Sequence, residues 1–101
     1  MRKIIEGSVN LSKSRLTELL DLTDVEITGN FYCDFNDLTS LKGAPQTVRG
    51  TFYCGDNNLT NLEGIPKTID RNFIIDEILE DRFPEKYIRS LSRIKGIVMY
   101  I

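Results

Sequence analysis

Two successive stretches, ITGNFYCDFNDLTSLKGAP at residues 27–45 and VRGTFYCGDNNLTNLEGIP at residues 48–66, carry nearly the same pattern. Equivalent residues lie 21 positions apart, such as Phe31 and Phe52, or Cys33 and Cys54. A repeat of about 20 to 50 residues indicates a solenoid, in which one supersecondary unit stacks on copies of itself. The repeat therefore predicts the architecture, and it favours a binding role over catalysis.

The first part of the repeat recurs through the whole chain. It reads apolar-x-x-x-apolar-x-apolar, beginning at Ile27 and Val48, and the same template fits from Ile5, Ile69 and Ile94. These starting points are 22, 21, 21 and 25 residues apart, and a glycine follows two positions later in four of the five. We therefore predict an α/β fold with five short parallel strands, each about 4.8 Å from the next.

The remaining parts of the chain define the ends of this stack. Residues 1–26 read as a diverged N-terminal repeat, 27–68 as two regular repeats and 69–101 as a C-terminal segment with a helix and a final strand. Leucines at helical spacing predict a helix over residues 12–22, with Ser12 or Ser14 as its N-cap. A second helix is predicted between Ile78 and Arg93, beginning near Pro84. Helices at both ends would seal the stack.

The pattern V-x-G-x-F-x-C-x-x-N-x-L-T-x-L-x-G-x-P resembles the short leucine-rich repeat of many bacteriophage proteins of unassigned role, and it is similar to repeats of secreted bacterial effectors. Close matches run from Ile27 to about Ile75. The resemblance implies a small right-handed leucine-rich-repeat solenoid that binds ligands on its sheet face. It also implies an asparagine ladder, which Asn36 and Asn57 would form. Ser14 and Ile78 replace the asparagine in the flanking units, so two rungs are predicted.

Composition excludes several classes of function. The chain has 101 residues, a net charge of -2 and no histidine, which removes histidine-based catalysis and the usual histidine-containing zinc sites. A slightly acidic chain is a poor match for a phosphate backbone, so nucleic acid is not the expected partner. No signal peptide or membrane-spanning stretch is apparent. We expect a cytoplasmic protein (host cytoplasm if phage-encoded), with no catalytic residues, metal or cofactor.

Two cysteines occupy equivalent positions on adjacent predicted strands. Neighbouring strands about 5 Å apart place Cys33 and Cys54 within disulfide range. The same position is simply apolar in other units, where Leu11 and Ile75 stand. We predict two buried, reduced thiols that fill the core.

Period-two alternation predicts which residues face out from the strands. The central outward column holds two tyrosines and then two apolar residues, and exposed tyrosines are typical of interface hot spots. The two flanking columns add mostly polar residues. The predicted partner-binding residues are Asn30, Tyr32, Asp34, Thr51, Tyr53, Asn72, Ile74, Asp76, Ile97 and Met99.

The sequence predicts a non-enzymatic module that binds a protein through this face. The phage resemblance implies an accessory protein that binds and inhibits a host factor, such as a defence component. Two alternatives stay open. One is a homo-oligomer formed through the C-terminal edge strand, where Ile97, Met99 and Ile101 point outward and Tyr100 inward. The other is nucleic-acid binding by the basic helix face, whose residues are Arg82, Lys86, Arg89 and Arg93.

Overall fold

Each turn of the chain contributes one short strand to each of two parallel sheets. The computed structural model describes residues 3–101, so the first two residues of the predicted 1–26 repeat lie outside the described part. Sheet A contains β1 (Lys3–Ile5), β3 (Val25–Ile27), β5 (Thr47–Val48), β7 (Thr68–Ile69) and β9 (Arg93–Ile94), in that order. Sheet B contains β2 (Val9–Asn10), β4 (Phe31–Tyr32), β6 (Phe52–Tyr53), β8 (Phe73–Ile75) and β10 (Val98–Tyr100), also in sequence order. We call each pair of successive strands, with its following loop, a coil.

The strand register confirms the repeat spacing. Ile5 pairs with Ile27, Ile27 with Val48, Val48 with Ile69, and Ile69 with Ile94. These pairs reproduce the separations of 22, 21, 21 and 25 residues. The insertion of four extra residues before Ile94 therefore lengthens a loop and leaves the sheet register unchanged.

The single predicted sheet is wrong, because the strand template spans a bend. Its first apolar residue lies in sheet A and its last two lie in or just after sheet B, with the recurring glycine between them. Successive bends stack so closely that a Cβ at Gly50 would lie 2.6 Å from the carbonyl oxygen of Gly29. The close stacking leaves no room for a side chain at position 50, which explains the glycine. The bend at this position divides each coil into two strands instead of one.

The core consists of rows of equivalent side chains between the two sheets. Phe31, Phe52 and Phe73 are completely buried, and their rings stack with centroids 5.4 and 5.7 Å apart. Leucines from the second half of the repeat close the other side of the core. Burial of a phenylalanine contributes about 1.5–3 kcal/mol, so these rows supply much of the stability.

The predicted two-rung asparagine ladder is confirmed. The Asn36 amide oxygen accepts the backbone N–H of Ser14 and of Leu16, at 3.0 and 2.9 Å. Its amide nitrogen donates to the carbonyl oxygen of Leu11 at 2.9 Å. Asn57 repeats the arrangement one coil later with Leu38 and Cys33. Each asparagine thus satisfies backbone groups of the preceding coil.

The helix predicted over residues 12–22 is wrong. This segment forms turns, in which Leu19 is buried and Leu20 exposed. Its backbone groups bond to the next coil, since Leu22 donates to Gly43 and the carbonyl of Leu16 accepts the N–H of Asp37. A helix would need those groups for its own hydrogen bonds. The leucine spacing that suggested a helix is the spacing of the repeat.

The C-terminal helix is present but shorter than predicted. A 3-10 turn covers Glu77–Leu79, and α1 covers Glu85–Leu91 with Pro84 at its N-cap. Phe83 and Ile88 are buried, and α1 packs against β9. The chain is thus an α/β domain with two five-stranded parallel sheets and little helix.

Candidate partner-binding face

The outer surface of sheet B carries a central column with one residue from each coil. The strand register aligns Asn10, Tyr32, Tyr53, Ile74 and Met99 in that order. Tyr32 and Tyr53 are half-buried, Ile74 is 9% exposed and Met99 is 39% exposed. The predicted facing of β10 is confirmed, because Val98 and Tyr100 pack on the core and Met99 points away. The Tyr100 hydroxyl finds its acceptor in the carbonyl oxygen of Phe83, at 2.5 Å.

The two tyrosines form a stacked pair at the centre of this surface. Their ring centroids are 4.5 Å apart and the planes differ by 11°. The Asn30 amide nitrogen donates to the Tyr32 hydroxyl at 3.1 Å, which fixes the orientation of that ring. Burial, and then the neighbouring Tyr32, raise the pKa of Tyr53, so its phenol stays neutral at physiological pH. The pair therefore offers a rigid aromatic surface.

One flank of the column is a second side-chain ladder, which the sequence interpretation assigned to partner binding without recognising its bonds. The side-chain oxygen of each residue accepts the backbone N–H of the equivalent residue in the next coil. The four bonds run from Asn30 to Ser8 at 2.9 Å, Thr51 to Asn30 at 2.7 Å, Asn72 to Thr51 at 3.4 Å and Ile97 to Asn72 at 3.0 Å, donor first. Thr51 is only 6% exposed. These residues hold the coils together beside the tyrosines.

The other flank carries two carboxylates separated by a glycine. The Oδ1 atom of Asp76 accepts the backbone N–H of Asp56 at 2.6 Å, and its Oδ2 atom accepts that of Asn57 at 3.5 Å, so both oxygens have donors within the chain. The Oδ1 atom of Asp34 is buried, and no group among residues 3–101 donates to it. Between them, Gly55 leaves room for Ile101, whose Cδ1 would lie 3.2 Å from a Cβ at that position. The Asp76 carboxylate is thus engaged within the fold, and Asp34 turns one of its oxygens away from solvent, so both carboxylates are only half-exposed on this flank.

The face becomes more apolar toward its C-terminal end. The first coil presents Asn10, whose side chain accepts the backbone N–H of Ser12 in a local turn. The last coil presents Ile97, Met99 and Ile101, which are 51%, 39% and 59% exposed. Neighbouring exposed apolar side chains on a sheet are typical of contact surfaces.

Sequence reasoning missed Phe35, which follows β4 and is 49% exposed. Its backbone has φ 54°, a left-handed conformation that is uncommon outside glycine, asparagine and aspartate. The equivalent Lys13 and Asp56 have φ 56° and 52°. The Lys13 ammonium lies 5.5 Å from the centre of the Phe35 ring. The 21-residue alignment could have identified the position, since Asp56 tolerates a conformation in which phenylalanine is unusual.

The cysteines are confirmed as buried free thiols. Cys33 and Cys54 are inaccessible, and each donates to a backbone carbonyl oxygen of the next coil, at 3.2 and 3.3 Å. Burial raises the pKa of both thiols, with the charge of Asp34 adding to the effect on Cys33. Neither thiol is therefore a nucleophile at physiological pH.

The basic helix face is partly used inside the fold. Arg89 donates to the carbonyl oxygens of Ile94 and Gly96, at 2.7 and 2.8 Å, and pairs with Glu85 at 2.7 Å. Its guanidinium thus stabilises the last coil. The prediction that four basic residues share one helix face is wrong, because α1 covers only Glu85–Leu91 and therefore contains Lys86 and Arg89 alone. Arg82 precedes the helix and Arg93 lies in β9, and Arg82, Lys86 and Arg93 are exposed.

Two grooves lie on the loop side of the molecule, away from sheet B. One, of about 420 Å³, is mostly polar and includes Thr17, Glu18 and Lys42. The other, of about 550 Å³, lies between α1 and the third coil and includes Ile65, Tyr87 and Leu91. Small ligands prefer enclosed sites of this size range, whereas the tyrosine face is an open surface. Its shape favours a macromolecular partner.

Residues 3–101 contain neither a metal-binding cluster nor a membrane-spanning helix. No group of three or more acidic or cysteine side chains is arranged to hold a metal ion in this part of the chain. Within the same residues, no helix is long and apolar enough to cross a membrane. Neither a scan against protein-family models nor searches of curated proteins and solved structures found a match to the chain.

Proposed function

We propose that this chain is a non-enzymatic protein-binding module whose contact surface is the outer face of sheet B. The observation that carries the proposal is the stacked pair of Tyr32 and Tyr53, which are half-buried at the centre of the face. Tyrosine supplies a large contact area at low entropic cost, because it has few rotatable bonds. Here the stacking and the bond from Asn30 restrict the rings further.

The surroundings of the tyrosines divide the face into contacts and supports. Ile97, Met99 and Ile101 extend the apolar surface at one side, and the half-buried Asp34 and Asp76 add carboxylates on the other flank. Asn30, Thr51 and Asn72 act chiefly through their ladder bonds. Rigid placement reduces the entropy that a partner must overcome on binding.

A finer proposal concerns fold family and biological role. The chain is a short leucine-rich-repeat solenoid, and it is a phage accessory protein that inhibits a host protein, such as a defence component, in the host cytoplasm. Support comes from the FxCxxNxLTxLxGxP repeats and from the two-rung asparagine ladder of Asn36 and Asn57. Inhibition by occupying a surface of the host factor requires no catalytic residues.

The test compares variants of the two faces in capture from a bacterial host lysate. Tyr32→Ser with Tyr53→Ser removes the aromatic pair, and Thr68→Ala with Arg93→Ala alters the outer side of sheet A as a matched control. We expect the captured protein to be lost from the first variant and retained by the second. With that protein purified, calorimetry should show the tyrosine variant binding at least tenfold more weakly. Equal binding by both variants, with thermal melts like wild type, would rule out this face.

A further inference from the structure

The first coil leaves an open edge on sheet A. β1 is the outermost strand, and β3 is its one neighbour in the described part of the chain. Ile5 occupies the position that is completely buried in the next three coils, yet it is 38% exposed. Ile4 on the outer side is 61% exposed. An apolar strand at an open edge is a site for pairing with another chain.

The hydrogen bonds of β1 show which groups are available. The Lys3 N–H donates to the Asp24 carbonyl oxygen at 2.7 Å, and the Ile5 carbonyl oxygen accepts the Thr28 N–H at 3.1 Å. In a parallel pair, alternate residues bond to the neighbour and the residues between them point away. The N–H and C=O of Ile4 are therefore directed to the open side of β1.

The opposite end of sheet A is closed to an incoming strand. There α1 packs against β9, and the Arg89 guanidinium donates hydrogen bonds to the carbonyl oxygens of Ile94 and Gly96. Copies of the chain therefore cannot stack head to tail through sheet A. The pairing that remains joins the open edges of two copies, and such a pairing closes on itself as a two-fold dimer.

The charges of the first coil suit a second copy as the occupant of this edge. Between residues 3 and 24, the coil exposes three basic residues and four acidic ones, namely Lys3, Lys13, Arg15, Glu6, Glu18, Asp21 and Asp24. A surface with both signs of charge can meet its own copy without net repulsion, whereas a surface of one sign would repel itself. The edge selects neither a strongly basic nor a strongly acidic partner.

We infer that the chain forms a two-fold dimer through antiparallel pairing of β1 with β1 of a second copy, with Ile4 on the axis. The two Ile4 residues exchange N–H···O=C bonds, and sheet A becomes continuous across both copies. β2 is a poorer candidate, because it has two residues and Asn10 is engaged in a local turn with Ser12. The dimer leaves the outer face of sheet B free, so it does not depend on the proposed function.

A charge-pair experiment tests this arrangement by sedimentation velocity. The wild-type chain should dimerise, and Ile4→Asp and Ile4→Lys should each be monomeric, because residues facing each other across the axis lie about 5.5 Å apart. An equimolar mixture of the two variants should recover a one-to-one dimer. Ile78, which is 89% exposed elsewhere, provides the control. Ile78→Asp and Ile78→Lys should dimerise like wild type.

Each contrary result excludes the inference. A wild-type chain that stays monomeric at millimolar concentration overturns it, as does a dimer that survives both Ile4 charges, since it would use another surface such as β10. A mixture that stays monomeric removes Ile4 from the axis. If a charged variant fails to fold, Ile4→Pro decides the question. Proline removes an N–H that the monomer does not use, and edge strands tolerate it, so the variant should keep the circular dichroism spectrum of the wild type and lose the dimer.

Discussion

The outer faces of the two sheets are built on the same repeat, but their side chains differ in whether they are paired within the chain. On sheet A the charges pair with one another across coils. Arg49 bonds to Glu26 at 3.0 Å and to Asp70 at 3.1 Å, and Lys95 reaches Asp70 at 3.4 Å. On sheet B the central column is aromatic and apolar, and it is partly open to solvent.

The difference indicates which face would give a partner the larger favourable free energy of binding. Replacing the ion pairs of sheet A with contacts to another protein would require breaking them and desolvating charged groups, which costs free energy. Covering the tyrosines and the exposed Ile97 and Met99 of sheet B removes apolar surface from water at about 25 cal/mol per Å². The same coils thus provide one face whose charged groups are paired within the chain and one whose apolar surface is left for another molecule to cover.

The largest expected effect comes from the core that both faces share. Phe52→Ala removes the middle ring of the phenylalanine row, and we expect the free energy of unfolding to fall by about 3–5 kcal/mol. Tyr53→Ala changes the adjacent residue on the opposite side of the strand, and it should cost only about 1 kcal/mol from lost stacking. Urea denaturation followed by circular dichroism measures both. Similar losses for the two variants would mean that Tyr53 is a structural residue.

A smaller effect is expected from the ladder that supports sheet B alone. Asn30→Ala leaves the buried N–H of Thr51 without its acceptor, which should cost about 1–3 kcal/mol. Asn30→Asp keeps an oxygen at that position, and the Tyr32 hydroxyl can turn to donate to it, so the variant should remain close to wild type. Amide exchange at Thr51 should accelerate in the alanine variant only. Equal exchange in both would show that the Asn30 side chain does not carry the bond.

The repeat made most of the fold predictable. Equivalent positions at Ile27, Val48 and Ile69 gave the register of sheet A, and the alternation after them gave the facing of sheet B, including Tyr100 in the last strand. The bend at the glycine was missed, because a template of apolar positions contains no information on the direction of the backbone. The false helix at residues 12–22 arose because leucines spaced by three and four fit both a helix and this repeat.

The candidate face was predictable in outline but not in its division of roles. Tyr32, Tyr53 and Met99 lie where alternation placed them. Asn30, Thr51 and Asn72 alternate in the same way, yet their side chains bond to the backbone of neighbouring coils, and a one-dimensional pattern contains no information on such bonds. The pairing of Arg49 with Glu26 and Asp70 was likewise hidden, because it joins residues 21 and 23 positions apart.

The charged row of sheet A offers a test that depends on pH. Burial alone would raise the pKa of Asp70, but bonds from Arg49 and Lys95 outweigh it and lower the pKa below the ordinary 3.8. The stabilisation is therefore present above pH 3.8 and is lost as the pH falls through the lower, folded-state pKa. Arg49→Met should lower the free energy of unfolding by about 1 kcal/mol at pH 7, since the guanidinium is partly exposed. This deficit should shrink below pH 3.8.

The control for this prediction is Arg71→Met, which removes an exposed arginine one coil later. It should leave the pH dependence unchanged and should not alter partner binding. Arg49→Met should also leave binding unchanged, because Arg49 lies on the outer face of sheet A, where the charged groups pair with one another. Loss of binding in Arg49→Met, with the fold intact, would place the partner on sheet A and reverse the comparison between the faces.

The smallest change in stability is expected at Phe35. Phe35→Asn exchanges a residue that is strained at φ 54° for one that tolerates left-handed backbone. The relief should roughly offset the lost contact with Lys13, which as an exposed cation–π pair is worth about 0.5–1 kcal/mol. Lys13→Asn removes the same contact from the other side and serves as the matched control.

We expect Phe35→Asn to melt within a few degrees of wild type and to bind the partner more weakly, while Lys13→Asn binds normally. Strain retained at an exposed aromatic residue then reflects its use in binding. A large stability loss in Phe35→Asn with unchanged binding would instead make Phe35 a part of the fold, and the contact surface would end at the tyrosines.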